Sequence, residues 1–142
     1  LDGDNDRVEM GSDLYFNTGN TYDIGTSGRA LKAMYSHAFT VVSDETVKEN
    51  ISPIPSALPL IKKLTPITFN YLGDKKQSFG FGARAVLKEA KKLKFGECLV
   101  SKPKNKNDKY GLNDQHFPAL LVKGLQELEA RLSKLEKGNK CS

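Results

Sequence analysis

The chain lacks any apolar run near the length of a membrane span, and it lacks the apolar core of a signal peptide. Because it opens at Leu1, the expectation is a piece of something longer, with any targeting segment elsewhere. Cysteine is scarce: Cys98 and Cys141 have no metal-ligand spacing and make no disulfide framework, so both are expected as free thiols of a reducing compartment. No metal and no cofactor is expected. Hydrophobic residues are also in short supply, at 38% of 142 residues, with a mean hydropathy of −0.48. That length makes one ordinary domain, or a small domain with an appendage. The low apolar content means that the core is small or is completed between chains.

Charge is present but uneven within a net +5. The front is acidic (Asp2, Asp4, Asp6, Glu9, Asp13, Asp23). The middle is basic: Lys75, Lys76, Lys88, Lys91, Lys92 and Lys94, then Lys102, Lys104, Lys106 and Lys109. These lysines lack the interleaved aromatics of a single-strand binder and fit no DNA-reading motif, which argues against a nucleic-acid partner. A solvated helix face and a solvated loop account for them.

Residues 12–42 alternate short runs of aromatic and β-branched residues (LYF, TYDI, FTVV) with the turn clusters NTGN and GTSG. Strands so short bury little unless they stack on copies of themselves, so an elongated β-stalk is expected. After Lys48 the character changes. ISPIPSALPLIKKL carries Ile54, Leu58, Ile61 and Leu64 at helical spacing, closed by Pro66. ITFNYL and QSFGFGA, separated by GDKK, predict a β-hairpin. ARAVLKEAKKL predicts an amphipathic helix with Val86, Ala90 and Leu93 on one stripe. ECLVSK and DKYGLN predict a second hairpin with the polar tip KPKNKN. The fold class expected from residue 43 onward is therefore a small α+β domain.

The last segment places Leu121, Leu125, Leu128, Leu132 and Leu135 at spacings of 4, 3, 4 and 3, the a/d seam of a coiled coil, in a helix over about 114–137. Asp114 is the expected N-cap, Pro118 falls in the first turn and Gly138 is the stop. Glu127 and Arg131 have the order of a helix-face ion pair. The alternative is one helix laying its leucines on its own domain. His116, just before the seam, is expected to be structural or solvated.

At the junction stands VVSDETVKEN. A serine hydroxyl becomes a nucleophile only with a base, and lysine serves as one only when neutral. Ser43 and Lys48 are five residues apart, which on an α-helix separates them by about 140°. A pair would require Ser43 to precede the helix proper, or the lysine to come from a neighbouring chain. The plainer account is a helix N-cap, with Ser43 or Asp44 capping and Lys48 solvated.

In order and spacing, SDETVKENI, ALPLIKKLTPITFNY, GFGARAV and PALLVKGLQELEARL resemble the C-terminal intramolecular chaperone domain of phage tail spikes and fibres, classed also as a self-cleaving serine peptidase of the S74 type. The resemblance runs from Ser43 to about Leu135, and NTYDIGTSGRALKAMYSHAFTV resembles the last stalk repeat before such a domain. It implies residues 1–42 as the end of a trimeric, triple-β-helix-like stalk and 43–142 as the chaperone. It also implies a homotrimer that templates the stalk of its own chain and then cuts itself off. The scissile bond would be Val42–Ser43, the nucleophile Ser43, the general base Lys48, and Asp44 a support for the lysine or the backbone. The partners implied are the chain itself and its stalk, with no nucleic acid and no membrane. The setting implied is a virion tail fibre or spike made in the host cytoplasm. The same fold kept as a non-cleaving clamp or receptor-binding tip is the alternative. Thr46 stands where the family commonly has Arg, and Gly82, Arg84 and Ala85 depart from its "GFIAQEV" box.

Overall fold

The computed structural model of the chain describes residues 10–19, 21–26, 29–93 and 95–139. Asp2, Asp4, Asp6, Glu9, Lys94, Cys141, and parts of the NTGN and GTSG clusters lie outside these residues. From Glu45 onward the described chain is a small α+β unit, as expected. A 3-10 turn at Glu45–Val47 leads into a single helical turn, α1 (Leu58–Ile61), then strands β1 (Ile67–Asn70) and β2 (Gln77–Gly80), and helix α2 (Ala83–Ala90). A second 3-10 turn (Gly96–Leu99), strands β3 (Val100–Ser101) and β4 (Gly111–Leu112), and a third 3-10 turn (Asp114–His116) precede the long helix α3 (Phe117–Asn139).

The first hairpin forms as its sequence dictates. β1 and β2 pair antiparallel with Ile67 opposite Gly80 and Asn70 opposite Gln77. Its turn needs Gly73, whose φ of +82° lies in the left-handed region that side chains disfavour. Asp74 secures that turn: its N–H donates to the Tyr71 carbonyl and its carboxylate accepts from the Lys76 N–H. The second hairpin is shorter, with Val100 opposite Leu112 and Ser101 opposite Gly111.

The helix expected over Ile54–Leu64 contracts to α1. Pro53 and Pro55 disfavour helical backbone at Ser52 and Ile54 before them, and helical geometry begins only after Ala57. Leu58 is buried as expected, but so is Leu60, which the stripe omitted, while Ile61 and Leu64 are half-buried. In α2 the buried residues are Val86, Leu87 and Ala90, with Leu93 packed at the margin.

One core gathers these pieces. Ala57, Leu60, Val86, Leu87, Ala90, Leu99, Val100, Phe117 and Leu120 form a single buried cluster, and Phe81 stacks on Phe117 with ring centroids 5.4 Å apart. Gly96 permits the tightest approach. A Cβ there would sit 2.1 Å from the Ala90 carbonyl oxygen, so the turn after α2 closes directly on that helix's last residue.

Helix α3 has two distinct faces. Phe117, Leu120, Gly124 and Glu127, at spacings of 3, 4 and 3, meet the chain's own domain. A Cβ at Gly124 would reach Ile61 Cδ1 at 2.4 Å, which places α3 in close crossing with α1. The leucines of the a/d seam are not on that face: Leu121, Leu125, Leu128, Leu132 and Leu135 are all exposed. The helix therefore does not lay its leucine stripe on its own domain. Details at its ends also differ from expectation. Asn113, not Asp114, is the cap of the 3-10 turn that opens the segment, and its side-chain amide donates to the Cys98 carbonyl. Gly138 lies inside the last turn, because α3 runs to Asn139. Pro118 falls in the first turn, where its missing N–H costs least.

Ahead of Glu45 the described chain is irregular and exposed, with Tyr15, Tyr35, Phe39 and Val42 open to solvent. Among the described residues its only backbone pairing is an isolated bridge between Thr26 and Arg29. Among the described residues of this segment, a single chain thus shows no strand ladder.

Candidate functional site

The geometry at the junction follows from where the first 3-10 turn starts. Asp44 is its N-cap: one carboxylate oxygen accepts from the Thr46 N–H at 2.8 Å and from the Thr46 hydroxyl at 2.5 Å. Those bonds, the hydroxyl's first, hold the Asp44 carboxyl below its ordinary range. Ser43 therefore precedes the turn, and Lys48, at its far end, leaves it in extended backbone. The turn folds the chain back on itself, and the 140° separation of a continuous helix does not arise.

As a result Lys48 Nζ lies 2.9 Å from Ser43 Oγ and 2.7 Å from the Ser43 carbonyl oxygen, donating to both. The first distance is within the range over which a base and a nucleophile exchange a proton. Asp44 accepts from the Thr46 N–H and hydroxyl and makes no hydrogen bond to Lys48. Thr46, at the position where Arg is common in the resembled family, is the residue that ties Asp44 down. Val42, Ser43 and Lys48 are all exposed in the single chain. Beyond Lys48, Asn50 adopts a φ of +54°, a left-handed bend that asparagine tolerates better than most residues.

The segment that follows is fixed at its far end by a residue whose role the sequence pattern misassigned. Glu127 does not pair with Arg131. Its carboxylate accepts from the Ala57 N–H at 2.9 Å, the Leu58 N–H at 3.2 Å and the Ser56 hydroxyl at 3.2 Å. It thereby satisfies the free donors at the start of α1, which has no cap of its own. The Ala57 bond foremost draws the Glu127 carboxyl below its ordinary 4.5. The available signal was its place seven residues after Leu120, on the stripe that α3 turns toward its own domain.

The basic tip of the second hairpin is organised by Asp108, which accepts from the N–H groups of Lys104 and Asn105. Lys102 pairs with Glu97 at 2.8 Å on the surface. With Asp23–Thr26 and Leu31, this tip lines an open groove of about 480 Å³. His116 is half-buried beside the start of α3. Cys98 is an exposed free thiol whose Sγ donates to the Phe95 carbonyl.

Against known families, residues 43–94 match the model of Peptidase_S74, described as the chaperone of endosialidase. The match opens at Ser43 and takes in the 3-10 turn, α1, the first hairpin and α2. Among curated proteins none matches the chain.

Proposed function

We propose that the chain is an intramolecular chaperone of the kind its residues 43–94 match, that it assembles through α3 into a homotrimer, templates the β-stalk that its residues 1–42 end, and then severs itself at Val42–Ser43. The single observation that carries the cleavage is the 2.9 Å contact between Lys48 Nζ and Ser43 Oγ, directly after the exposed leading segment. For assembly, the support is the leucine seam left exposed while another face of α3 packs on its own domain.

The chemistry starts from neutral Lys48, which takes the proton from Ser43 Oγ. The oxygen attacks the Val42 carbonyl carbon. The Val42–Ser43 C–N bond breaks, the lysine ammonium returns its proton to the departing Ser43 nitrogen, and an ester joins Val42 to Ser43 Oγ. Water then hydrolyses the ester, leaving a Val42 carboxylate and a free Ser43 hydroxyl. Only about one lysine in a thousand is neutral near pH 7.5 at the ordinary pKa of about 10.4. Burial favours the neutral amine, and in the single chain Lys48 is exposed. Assembly supplies the missing burial, so the cut reports on a completed trimer.

The order suits the physics of a triple-stranded stalk. Its contacts run between chains and are far apart in sequence, so nucleation is entropically costly. A trimer at one end holds three chains in register and makes stalk closure effectively intramolecular. Removing the template afterwards leaves the stalk trapped by its unfolding barrier. The groove between the second hairpin's tip and Asp23–Thr26, Ala30 and Leu31 supports contact between template and stalk. The setting is a phage tail fibre or spike in the virion.

A denaturing gel of the folded protein, wild type beside Ser43→Ala, with the N-terminus of any fragment sequenced, tests this. The expected result is a fragment beginning at Ser43 in wild type only. A full-length chain unchanged by Ser43→Ala would instead mark a permanent trimer clamp, which needs the seam but no chemistry.

A further inference from the structure

We propose that Thr46 is the positioning residue of the self-cleaving pair, holding Lys48 against Ser43 by way of the Asp44 carboxylate; this rests on the cleavage reading above. Five residues of extended chain span roughly 17 Å, far more than a lysine stem covers, so Lys48 meets Ser43 only if the chain between them doubles back. The 3-10 turn at Glu45–Val47 makes that reversal, with extended backbone at Asp44 and Lys48 on either side of it. Packing does not hold the turn, since none of its three residues is buried. Its backbone bonds run from the Val47 N–H to the Asp44 carbonyl at 3.3 Å and from the Lys48 N–H to the Glu45 carbonyl at 3.1 Å, near and just past the long end of the ordinary range.

The short bonds are those of Thr46. One Asp44 carboxylate oxygen accepts its N–H at 2.8 Å and its hydroxyl at 2.5 Å. Hydrogen bonds to an anion are the stronger kind, and these two draw the Asp44 carboxyl below its ordinary range, the hydroxyl's foremost. Any residue but proline would offer the N–H at position 46; the hydroxyl is what threonine adds. With the turn so tied, Lys48 Nζ reaches the Ser43 hydroxyl at 2.9 Å and the Ser43 carbonyl at 2.7 Å, closing residues 43–48 into a loop. Valine has the shape of threonine without the hydroxyl, so it leaves the carboxylate with the N–H alone. The turn then opens for part of the time and carries Lys48 away with it. Displacements near 1 Å cost on the order of a hundredfold in rate when reacting groups must be aligned, so the cut proceeds only while the turn is closed.

The test measures cleavage per assembled trimer in the full chain. Wild type, Thr46→Val, Thr46→Ser, Asp44→Ala, the Asp44→Ala/Thr46→Val double variant and Ser43→Ala are separated into monomer and trimer by size, and the first-order cut is followed in the trimer. Thr46→Val should cut about fivefold more slowly or worse, with its share of trimer and its melting temperature unchanged because the turn is exposed. Thr46→Ser, which restores the hydroxyl, should stay within twofold of wild type. Asp44→Ala should fall further, since both bonds go, and adding Thr46→Val to it should cost nothing more. In the intact monomer, the nuclear Overhauser contact between the Ser43 β-protons and the Lys48 ε-protons should be present in wild type and Thr46→Ser and weakened in Thr46→Val. A Thr46→Val trimer that cuts within twofold of wild type overturns the proposal. So does a Thr46→Ser trimer as slow as Thr46→Val, or an equal further loss from Thr46→Val in the Asp44→Ala background. If Thr46→Val fails to assemble, the monomer contact decides by the same comparison. Cleavage that persists in Ser43→Ala, or a wild type that shows the contact and never cuts, sinks the underlying cleavage reading, and both are told apart from a failure of Thr46 without any Thr46 variant.

Discussion

Replacing Leu132 by alanine separates a seam that joins chains from a helix that stands alone. Leu132 is 56% exposed in the single chain and lies on the part of α3 beyond the contact with α1. Within one chain the substitution removes little packing, and alanine is at least as good a helix former as leucine. In a trimer the exposed half is buried. Full burial of a leucine is worth about 2 kcal/mol, so the remaining half contributes about 1 kcal/mol per chain and about 3 kcal/mol for three chains. That is about a hundredfold in the association constant, and, because three chains associate at once, about tenfold in the concentration of half-assembly. Sedimentation equilibrium over a concentration series reads that midpoint, and far-UV circular dichroism at high dilution checks the monomer. The expected result is a tenfold shift with an unchanged monomer. A midpoint that moves less than twofold would refute the reasoning. A monomer that loses helix to the same degree would refute it equally, since the leucine would then be packing on its own domain.

Lys48→Arg keeps a charged donor beside Ser43 but cannot be deprotonated, so it should abolish the cut while leaving the trimer intact, as read by gel and size. Gly96→Ala drives a Cβ into the Ala90 backbone; it should destabilise the domain by about 3 kcal/mol or more, measured by urea denaturation, because backbone cannot rotate away as a side chain can. The Glu127 carboxyl is depressed in the folded state, so its contribution is fully present above the unfolded value and is lost as pH falls through the lower folded one. The difference in melting temperature between wild type and Glu127→Gln should therefore be constant above about pH 5 and shrink below the ordinary carboxylate range, and a difference that instead grows on acidification would contradict the hydrogen-bonded anion.

Periodicity made the first hairpin, α2 and α3 legible, because each buries one face at a regular interval. It failed where backbone chemistry outranked hydrophobic spacing. Ile54, Leu58, Ile61 and Leu64 have helical spacing, but Pro53 and Pro55 disfavour helix at the residues before them, and one turn after Ala57 survives. Leu60 and Leu87 are buried because the core reaches around those helices further than a single stripe predicts. Glu127 was legible as a charge at the right interval for Arg131, and only the fold shows that the donors of α1 reach it first. The Ser43–Lys48 contact could not be read from spacing at all. It depends on Asp44 starting a 3-10 turn after Ser43, and what named the pair beforehand was resemblance. The stalk expectation concerns contacts between chains, on which one chain alone has no bearing.

The central claim is that the hydroxyl of Ser43 is activated by Lys48 only once three chains have gathered. Intact-mass spectrometry of the separated monomer and trimer fractions, for wild type and Lys48→Ala, tests it most directly. The account predicts products split between residues 42 and 43 in the wild-type trimer, and full-length chain in the wild-type monomer and in every Lys48→Ala fraction. A wild-type monomer that cuts as fast as the trimer, or a Lys48→Ala trimer that still yields a chain beginning at Ser43, would contradict it.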